Sequence, residues 1–325
     1  MDKLAVRTYL QEDLDRVNDL MSRFLASDIS LLDQTNRALR ERRGKQLRPM
    51  LALLTARACG GACNEDSIRF AAAAELMHNA TLLHDDVADN SIERRGAPTV
   101  MSLLGPGAAV LLGDYWLVKA VGCILEASRE AERALRIFAG TLSDLAEGEL
   151  LQLQKASSAD TTEEDYLRII YSKTASLFVA TVLTAAISVG ADPAREEAVR
   201  RYAENLGLAF QIRDDIFDYE ENVHIGKPVG QDLQEQKITM PLIVALKAAP
   251  AEEQRIRTLV REMADHPENR QEVVDFVRTS GGMEYAWLRL DEYVKKAVAA
   301  LGELPSGRDR DALEEMAHYV KERKS

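Results

Sequence analysis

The sequence predicts an all-α protein, a large helical bundle. Hydrophobic residues make up 46% of the 325 residues and aromatic residues only 6%, and leucine, alanine, glutamate and arginine dominate, as expected of helices rather than of sandwiches or barrels. Nearly every stretch repeats its apolar residues with the helical period, and no strand of convincing alternation is found. No linker rich in proline, glycine or serine interrupts the middle of the chain, so residues 1–325 are predicted to form a single domain.

The first elements are amphipathic helices at about residues 2–25 and 30–41. A third helix is predicted to begin near Pro49, a residue suited to the first turn, and to stop at Gly60 and Gly61. The next runs from about 68 to 89 and is largely apolar.

Four more helices are predicted at roughly 107–127, 131–155, 163–190 and 194–219. Their interiors are apolar nearly all round, which is typical of central positions in a bundle. The longest plausible loop lies between Glu220 and Lys237 and holds two glycines and a proline; long loops in compact domains often cover active sites. Helices resume near Thr239 and continue to the end.

Composition narrows the class of protein. The net charge of -12 argues against a nucleic-acid partner. Cys59, Cys63 and Cys123 lack a metal-binding spacing and are predicted to be reduced core thiols. The charged N-terminus lacks the apolar core of a signal peptide, and the apolar segment 179–191 is too short to span a bilayer. These features predict a soluble, cytoplasmic protein without a transmembrane segment.

One five-residue acidic pattern, D-D-x-x-D, occurs twice in the chain. Its aspartates are Asp85, Asp86, Asp89, Asp214, Asp215 and Asp218. On a helix, the first and last aspartate of each motif lie one turn apart on one face. Carboxylate oxygens suit Mg²⁺, which takes one or two protein carboxylates and completes its shell with water and substrate phosphate. The alternative is a solvated helix face, but the apolar flanks in LLHDD and DDIFDY favour metal binding and hence a diphosphate ligand.

Basic residues in the first half of the chain suit direct phosphate binding. Lys45 and Arg48 lie at the predicted start of a helix, where free backbone N–H groups and the helix dipole favour an anion. His78 lies two turns before Asp85 and shares its face. The alternative for Lys45 and Arg48 is an exposed basic helix cap, and the alternative for His78 is a buried core histidine.

Further basic residues follow the first acidic motif. Arg94 and Arg95 are adjacent and offer forked donors suited to phosphate. Lys173 lies in an otherwise apolar helix, where a lysine is costly unless it has a counter-ion. Lys227 and Lys237 lie in or beside the long loop, and surface lysines remain the alternative for both.

In a series of motifs from about residue 43 to 242, the chain resembles the trans-isoprenyl diphosphate synthases, the polyprenyl synthetase family. The motifs are RGKQLRP, ELMHNATLLHDDVAD, RRGAPT, SKTASL, QIRDDIFDY and GKPVGQDLQEQKITMP. The resemblance implies a bundle of long helices around one central cavity, usually in a homodimer. It also implies head-to-tail condensation of isopentenyl diphosphate with an allylic diphosphate, giving a longer all-trans polyprenyl diphosphate and diphosphate.

Carried over position by position, the resemblance implies three sets of residues. The Mg²⁺ ligands, for three ions, would be Asp85, Asp89 and Asp214, with Asp86, Asp215 and Asp218 assisting. The isopentenyl diphosphate would be held by Lys45, Arg48, His78 and Arg95. The allylic diphosphate would be held by Arg94, Lys173, Thr174, Gln211, Lys227 and Lys237. Two positions depart from the family pattern: Arg43 and Gln236 each replace a glycine, which bears on the flexibility of the segments around Lys45 and Lys237.

The length of the product is predicted from the residues just before the first motif. In the family, bulky residues four or five places before the first aspartate form a floor that stops growth early. Here those places hold Ala80 and Thr81, which predicts an open shaft and a long-chain product. Small residues that merely allow close helix packing are the alternative. Met77 lies one helical turn before Thr81 on the same face, which is called the shaft stripe below. Met77, Trp116 or Phe138 are candidates for a side chain that closes the shaft farther from the aspartates.

Three other functions remain as alternatives. The first is a shorter-chain farnesyl or geranylgeranyl diphosphate synthase. A terpene cyclase would not need the isopentenyl site and usually carries Asn and Ser in its second metal motif, and a non-catalytic subunit of a heteromeric synthase loses aspartates that this chain keeps. Expected partners are the two diphosphates, a second copy of the chain, and a membrane touched transiently for product release.

Overall fold

The structure, a computed structural model, describes residues 3–41, 44–94, 96–220 and 231–323. The helices are α1 (Lys3–Tyr9), α2 (Gln11–Leu25), α3 (Ser30–Glu41), α4 (Leu47–Gly60), α5 (Glu65–Ala88), α6 (Val100–Leu104), α7 (Pro106–Leu125), α8 (Ala131–Ser158), α9 (Glu163–Ile170), α10 (Ser176–Ser188), α11 (Pro193–Phe217), α12 (Gln231–Gln234), α13 (Met240–Ala248), α14 (Glu253–Arg261), α15 (Asn269–Thr279), α16 (Gly282–Ala300) and α17 (Arg308–Glu322). A π-helical turn, Tyr171–Ala175, joins α9 to α10, and a 3₁₀ turn, Leu301–Glu303, follows α16. The predicted all-α fold is confirmed.

The chain divides into two compact units. The first unit comprises Met1–Gly140, Leu177–Arg200 and Leu301–Met316, and the second comprises Thr141–Ser176, Arg201–Ala300 and Ala317–Ser325. Helices α8, α10, α11 and α17 contribute residues to both. The expectation of one domain over residues 1–325 stays a prediction.

Helix α5 is the centre of the first unit and packs against α2, α4 and α7. It begins with a capping box in which the Asn64 side chain accepts from the Ser67 N–H and the Ser67 hydroxyl accepts from the Asn64 N–H. Its middle holds the fully buried run 71–74, four alanines that let neighbouring helices approach. A Cβ on Gly113 of α7 would lie 2.4 Å from His84 Nε2, so glycine is needed where α7 crosses α5.

In the second unit, α13 packs against α9, α15 and α16. Helix α16 begins close to α13, because a Cβ on Gly282 would lie 2.2 Å from the carbonyl oxygen of Pro241. Fully buried side chains such as Tyr202, Phe217 and Leu290 fill the interior of this unit.

Three local predictions differ from the structure. The helix expected over 163–190 is interrupted by the π-helical turn. The loop expected over 220–237 contains helix α12, so that prediction was wrong at 231–234. A hairpin of two-residue strands, β1 (Glu93–Arg94) and β2 (Ala97–Pro98), forms where no strand was expected.

The three cysteines are free thiols, and Cys59 and Cys123 are buried as predicted, whereas Cys63 is only partly buried. Burial raises the pKa of Cys63 to about 12, so this thiol stays protonated. Two helical stretches, Pro106–Leu125 and Glu163–Ser188, are long and apolar enough to cross a membrane by length and composition alone. The second is 78% buried inside the protein, as expected of a core helix, whereas the first is only 39% buried.

Candidate active site

The first acidic motif lies at the C-terminal end of α5, in the first unit. The Asp89 N–H donates to the Asp85 carbonyl at 2.8 Å, so the two residues are one helical turn apart, as predicted. Asp85 is partly exposed, Asp86 is buried and Asp89 is exposed. The three carboxylates therefore differ in access to a ligand.

The β1–β2 hairpin brings Arg94 onto the first motif. Arg94 Nε donates to Asp86 Oδ1 at 2.7 Å. The hairpin turns at Gly96, which has a φ of 75° that favours glycine. The Thr99 hydroxyl donates to the Ser91 carbonyl at 2.7 Å and ties the returning strand to the end of α5. Asp86 is thus held by an arginine, while its two neighbours in the motif remain more accessible.

The predicted isopentenyl site also lies in the first unit. Lys45 is exposed and directly precedes Gln46, the N-cap of α4. Arg48 lies in the first turn of α4, and its guanidinium carbon is 4.7 Å from the centroid of the Phe178 ring. His78 is partly exposed on α5, against which α4 packs. Arg95 and Arg43 lie outside the described residues.

The second acidic motif ends α11, in the second unit. Asp214 Oδ1 accepts from Arg323 Nη2 at 2.5 Å. Arg323 is buried, donates also to the Phe210 carbonyl at 2.9 Å, and has its guanidinium carbon 3.9 Å from the Phe210 ring centroid. A guanidinium therefore already neutralises the first aspartate of this motif. Arg323 belongs to no motif, so this partner of Asp214 was not predictable from the sequence.

A second buried arginine holds Arg323 in place. Arg213 donates to the Arg323 carbonyl at 3.2 Å and pairs with Glu220 at 3.3 Å. Its guanidinium carbon lies 3.7 Å from the Phe217 ring centroid and 4.5 Å from the Trp287 ring centroid. Burial lowers the pKa of Arg213 from its usual value. These contacts fix the end of α17 on α11.

Asp215 is buried within a hydrogen-bonded chain. Its Oδ2 accepts from the Tyr166 hydroxyl at 2.6 Å and its Oδ1 accepts from Gln211 Nε2 at 2.9 Å. Gln211 in turn accepts from the Thr174 hydroxyl at 2.8 Å. Burial, reinforced by the nearby Asp232, raises the pKa of Asp215 well above its usual range. Both oxygens are thus engaged, and sequence reasoning missed Tyr166, whose ring comes from the separate helix α9.

The Asp218 side chain, from the segment that follows α11, caps the start of α12. Its two carboxylate oxygens accept the backbone N–H groups of Gln231 at 3.0 Å and Asp232 at 3.1 Å. Such a carboxylate satisfies two donors that a helix start leaves without partners. Of the three aspartates in this motif, Asp214 has the most accessible carboxylate, with a side chain that is 38% exposed.

Lys173 has the counter-ion that its apolar surroundings demand. Its ammonium group pairs with the Glu149 carboxylate and donates to Gln152 Oε1 at 3.0 Å. Both partners lie on α8, and the lysine side chain is 26% exposed. The predicted cost of an unpaired lysine at this position is therefore avoided, and the ammonium group stays partly accessible.

Lys173 and Thr174 lie on the π-helical turn, and two glycines make room for it. A Cβ on Gly148 of α8 would lie 2.6 Å from Ser172 Cβ, and a Cβ on Gly207 of α11 would lie 2.5 Å from Ala175 Cα. Neither distance is tolerated, so glycine is required on both neighbouring helices. Single π-helical turns within α-helices are frequent at functional sites.

The segment after α12 explains one departure from the family pattern. Gln236 has a φ of 58°, in the left-handed region that glycine favours. Its side chain donates to the Arg261 carbonyl at 2.5 Å. This contact holds a residue that lacks the freedom of glycine in the required conformation. Lys237 pairs with the Glu235 carboxylate, and Lys227 lies outside the described residues.

The residues predicted to line the shaft differ in packing. Ala80 and Met77 are fully buried, whereas Thr81 is partly exposed. The Thr81 hydroxyl donates to the His78 carbonyl at 2.9 Å. Phe138 on α8 is fully buried. Accessible surface therefore lies at Thr81 rather than at Ala80.

Trp116 lies away from the shaft stripe, the face of α5 that carries Met77, Ala80 and Thr81. Its indole N–H donates to Asn36 Oδ1 at 2.8 Å, and it lines a small cavity together with Glu75 and Asn79 of α5. At about 100° per residue, those two α5 positions lie on the opposite face of the helix from Met77. A plug formed by Trp116 is thus disfavoured by its position.

The resemblance implies Mg²⁺, for which carboxylate oxygens are suitable ligands. Among the described residues, no three histidine, cysteine, aspartate or glutamate side chains converge as a complete protein site for a metal ion. Mg²⁺ uses one or two protein carboxylates and takes its remaining ligands from water and phosphate. The accessible carboxylates of Asp85, Asp89 and Asp214 fit this role.

The fold and these residues define a class of helical synthase, and solved structures share it. The structure is similar to a decaprenyl diphosphate synthase from Rhodobacter capsulatus, with a TM-score of 0.92 and 35% identity, covering 99% of both chains. It is also similar to a polyprenyl synthase from Caulobacter crescentus CB15, crystallised with calcium and isoprenyl diphosphate, with a TM-score of 0.90 and 34% identity, covering 100% of this chain and 98% of that chain.

Residues 29–277 match the family model described as Polyprenyl synthetase. The chain is 38% identical to the octaprenyl diphosphate synthase of Escherichia coli (strain K12), over 96% of both proteins. This chain belongs to the polyprenyl synthetase family. The family predicted from the motifs is therefore confirmed, as is the class of enzyme, a prenyltransferase that makes polyprenyl diphosphates.

Proposed function

We propose that the protein condenses isopentenyl diphosphate with an allylic diphosphate and releases a long all-trans polyprenyl diphosphate. The observation that carries this proposal is similarity along nearly the whole chain to synthases named for long products. Besides the octaprenyl enzyme, these include an all-trans-nonaprenyl-diphosphate synthase of Rhodobacter capsulatus, 35% identical over 96% of this chain and 95% of that protein. The small side chains of Ala80 and Thr81 agree with a long product.

Two groups of residues are proposed to hold the two substrates. The isopentenyl diphosphate is held by Lys45, Arg48, His78 and Arg95. The allylic diphosphate is held by Arg94, Lys173, Thr174, Gln211, Lys227 and Lys237. The paired state of Arg94 with Asp86 and of Lys173 with Glu149 supports this assignment, because each cation is held by a carboxylate yet stays partly accessible to a phosphate.

We propose Mg²⁺, three ions per active site, as the cofactor. When bound, the ions would neutralise the leaving diphosphate as Lewis acids. Asp85, Asp89 and Asp214 are the proposed ligands, because their carboxylates are the accessible ones. Asp86, Asp215 and Asp218 support them through the contacts to Arg94, Tyr166 and the start of α12.

The reaction breaks the C1–O bond of the allylic diphosphate and forms a C–C bond to the alkene of isopentenyl diphosphate. Arg94 and Lys173 bind the departing oxygens, where negative charge develops. A proton then leaves the coupled product, and we assign it to the released diphosphate rather than to a side chain. The segment around Lys227 is proposed to exclude water during this step.

We also propose that the enzyme is a homodimer. Leu104, Leu111, Val118 and Leu125, at intervals of seven residues, are 43%, 71%, 67% and 60% exposed. Leu111, Val118 and Leu125 lie seven residues apart within α7 and form an apolar stripe on one face of that helix, while Leu104 belongs to the preceding helix α6. A soluble protein rarely exposes such a stripe unless a partner covers it. Val118→Glu should yield a monomer in size-exclusion chromatography with light scattering, and an unchanged mass would contradict this interface.

We also propose that the protein is cytoplasmic and that it touches a membrane transiently when it releases its product. The long apolar product requires such contact, because it is poorly soluble in water.

The deciding experiment incubates the purified chain alone with isopentenyl diphosphate, farnesyl diphosphate and Mg²⁺. Mass spectrometry should find diphosphates much longer than the primer. Farnesyl- or geranylgeranyl-sized products would indicate a shorter-chain synthase. Cyclic hydrocarbons would indicate a cyclase, and no turnover would indicate a subunit that needs a partner.

A second experiment separates the two substrate groups. Arg48→Ala and His78→Ala should mainly raise the KM for isopentenyl diphosphate. Lys173→Ala should mainly lower the rate of allylic ionisation. A shift in the same parameter for the same substrate in all three variants would contradict the division.

A further inference from the structure

Gln46 adopts a backbone conformation that residues other than glycine rarely take. It has a φ of 50° and a ψ of 39°, in the left-handed region. It lies directly between Lys45 and the first residue of α4. Backbone strain at a functional segment persists only where surrounding contacts enforce it, so the contacts of Gln46 show what enforces it here.

Both ends of the Gln46 amide are engaged by the two N-terminal helices. Its Nε2 donates to Asn18 Oδ1 of α2 at 2.8 Å, and its Oε1 accepts from Arg7 Nη2 of α1 at 3.0 Å. The side chain is buried, with 4% of the residue exposed. An amide held at both ends cannot rotate, so α1 and α2 fix the position of this residue.

The backbone of Gln46 sets the start of α4. Its carbonyl accepts the Met50 N–H at 3.2 Å, which makes it the N-cap. The chain therefore turns at Gln46, with Lys45 immediately before the turn and Arg48 in the first helical turn after it. Gln46 also lines the small cavity bordered by Asn79 of α5, the residue next to His78.

We infer that Gln46, held by Asn18 and Arg7, is a positioning residue for isopentenyl diphosphate binding. It fixes the direction from which Lys45 and Arg48 present their charges. The inference rests on the proposed function, in which these two residues hold that substrate.

Two variants break the contact from opposite sides. Gln46→Gly removes the amide while keeping a residue that accepts the left-handed conformation. Asn18→Leu removes the acceptor on α2 and leaves Gln46 in place. Each should raise the KM for isopentenyl diphosphate by roughly tenfold, with kcat and the KM for the allylic substrate within about twofold of wild type. The double variant should be no worse than either single one, because both remove the same support.

Asn64→Ala is the matched control for lost stability. It removes the capping side chain at the start of α5, and Asn64 belongs to none of the proposed substrate-binding motifs. It should lower the melting temperature without moving any KM. If Asn18→Leu does not fold, Arg7→Met tests the other end of the amide.

The outcomes separate this inference from the proposed function. If Lys45→Ala and Arg48→Ala raise the KM for isopentenyl diphosphate but the Gln46 and Asn18 variants do not, the positioning role is overturned. A lower melting temperature with unchanged KM values, as in the control, also overturns it. If Lys45→Ala and Arg48→Ala leave the KM unchanged, the substrate assignment itself fails.

Discussion

Substitution of Gly207 by alanine should damage catalysis through the π-helical turn. The added Cβ would lie 2.5 Å from Ala175 Cα and 2.7 Å from Ala175 Cβ. Carbon atoms pack at about 3.5 to 4 Å, so the turn must move by roughly 1 Å or more. The nearest atom belongs to the backbone, which means that no side-chain rotation relieves the contact.

The stability effect has two opposing parts. Alanine in a helix interior is favoured over glycine by about 1 kcal/mol. Overpacking a core costs about 1 to 3 kcal/mol. The free energy of unfolding of Gly207→Ala should therefore fall by up to about 2 kcal/mol, a moderate loss that leaves the protein folded.

The catalytic effect should be larger. Lys173 lies on the same turn as Ala175, and a shift of about 1 Å in a positioned group costs on the order of 100-fold in rate. Steady-state kcat and a denaturant melt on the same preparation test both parts. Gly140→Ala on α8 is the control, because a Cβ there meets nothing within 4 Å. It should stabilise slightly and leave kcat unchanged. If Gly207→Ala keeps both wild-type kcat and wild-type stability, glycine is not what accommodates the turn.

Three further predictions concern the aspartates and the shaft. Asp85→Ala and Asp214→Ala should each lower turnover on the order of 100-fold, which steady-state kinetics tests. Asp214→Ala should also lose about 1 kcal/mol of stability in a denaturant melt, because the buried guanidinium of Arg323 loses its partially exposed partner. Thr81→Tyr should shorten the product in mass spectra because this position is partly exposed, whereas Ala80→Phe should destabilise by about 1 to 3 kcal/mol because that residue is fully buried; the reverse pattern would contradict the open shaft. Asp218→Ala should cost about 1 kcal/mol in a denaturant melt through the lost cap of α12, and an unchanged melt would remove that role.

Periodicity predicted the helices well wherever an apolar face continued through the element. The helix expected over 68–89 is α5, Glu65–Ala88. Its start lies earlier because the capping residues Asn64 and Ser67 are polar and carry no periodic signal. The need for a counter-ion at Lys173 was also predictable, and Glu149 supplies it.

The environments of the second acidic motif were not predictable. Its three aspartates have the same role in the sequence pattern but different surroundings in the structure. Asp214 pairs with Arg323, Asp215 accepts from Tyr166, and Asp218 caps the start of α12. Arg323 and Tyr166 come from elements distant in sequence and belong to none of the motifs, and the donors bound by Asp218 are backbone N–H groups, which no side-chain pattern indicates. Spacing predicts which aspartates share a helix face but not what lies opposite each one.

The placement of the two tryptophans gives each unit its own optical reporter. Trp116 is buried in the first unit with its indole donating to Asn36, whereas Trp287 stacks on Arg213 in the second unit. Because indole emission responds to polarity and nearby charge, Trp287→Phe leaves a signal from the first unit alone and Trp116→Phe leaves one from the second. Arg213 adjoins Asp214 in sequence, so the remaining fluorescence of Trp116→Phe should change when a cation reaches that carboxylate. Unfolding of each unit and occupancy of the second acidic motif can thus be followed as separate emission spectra.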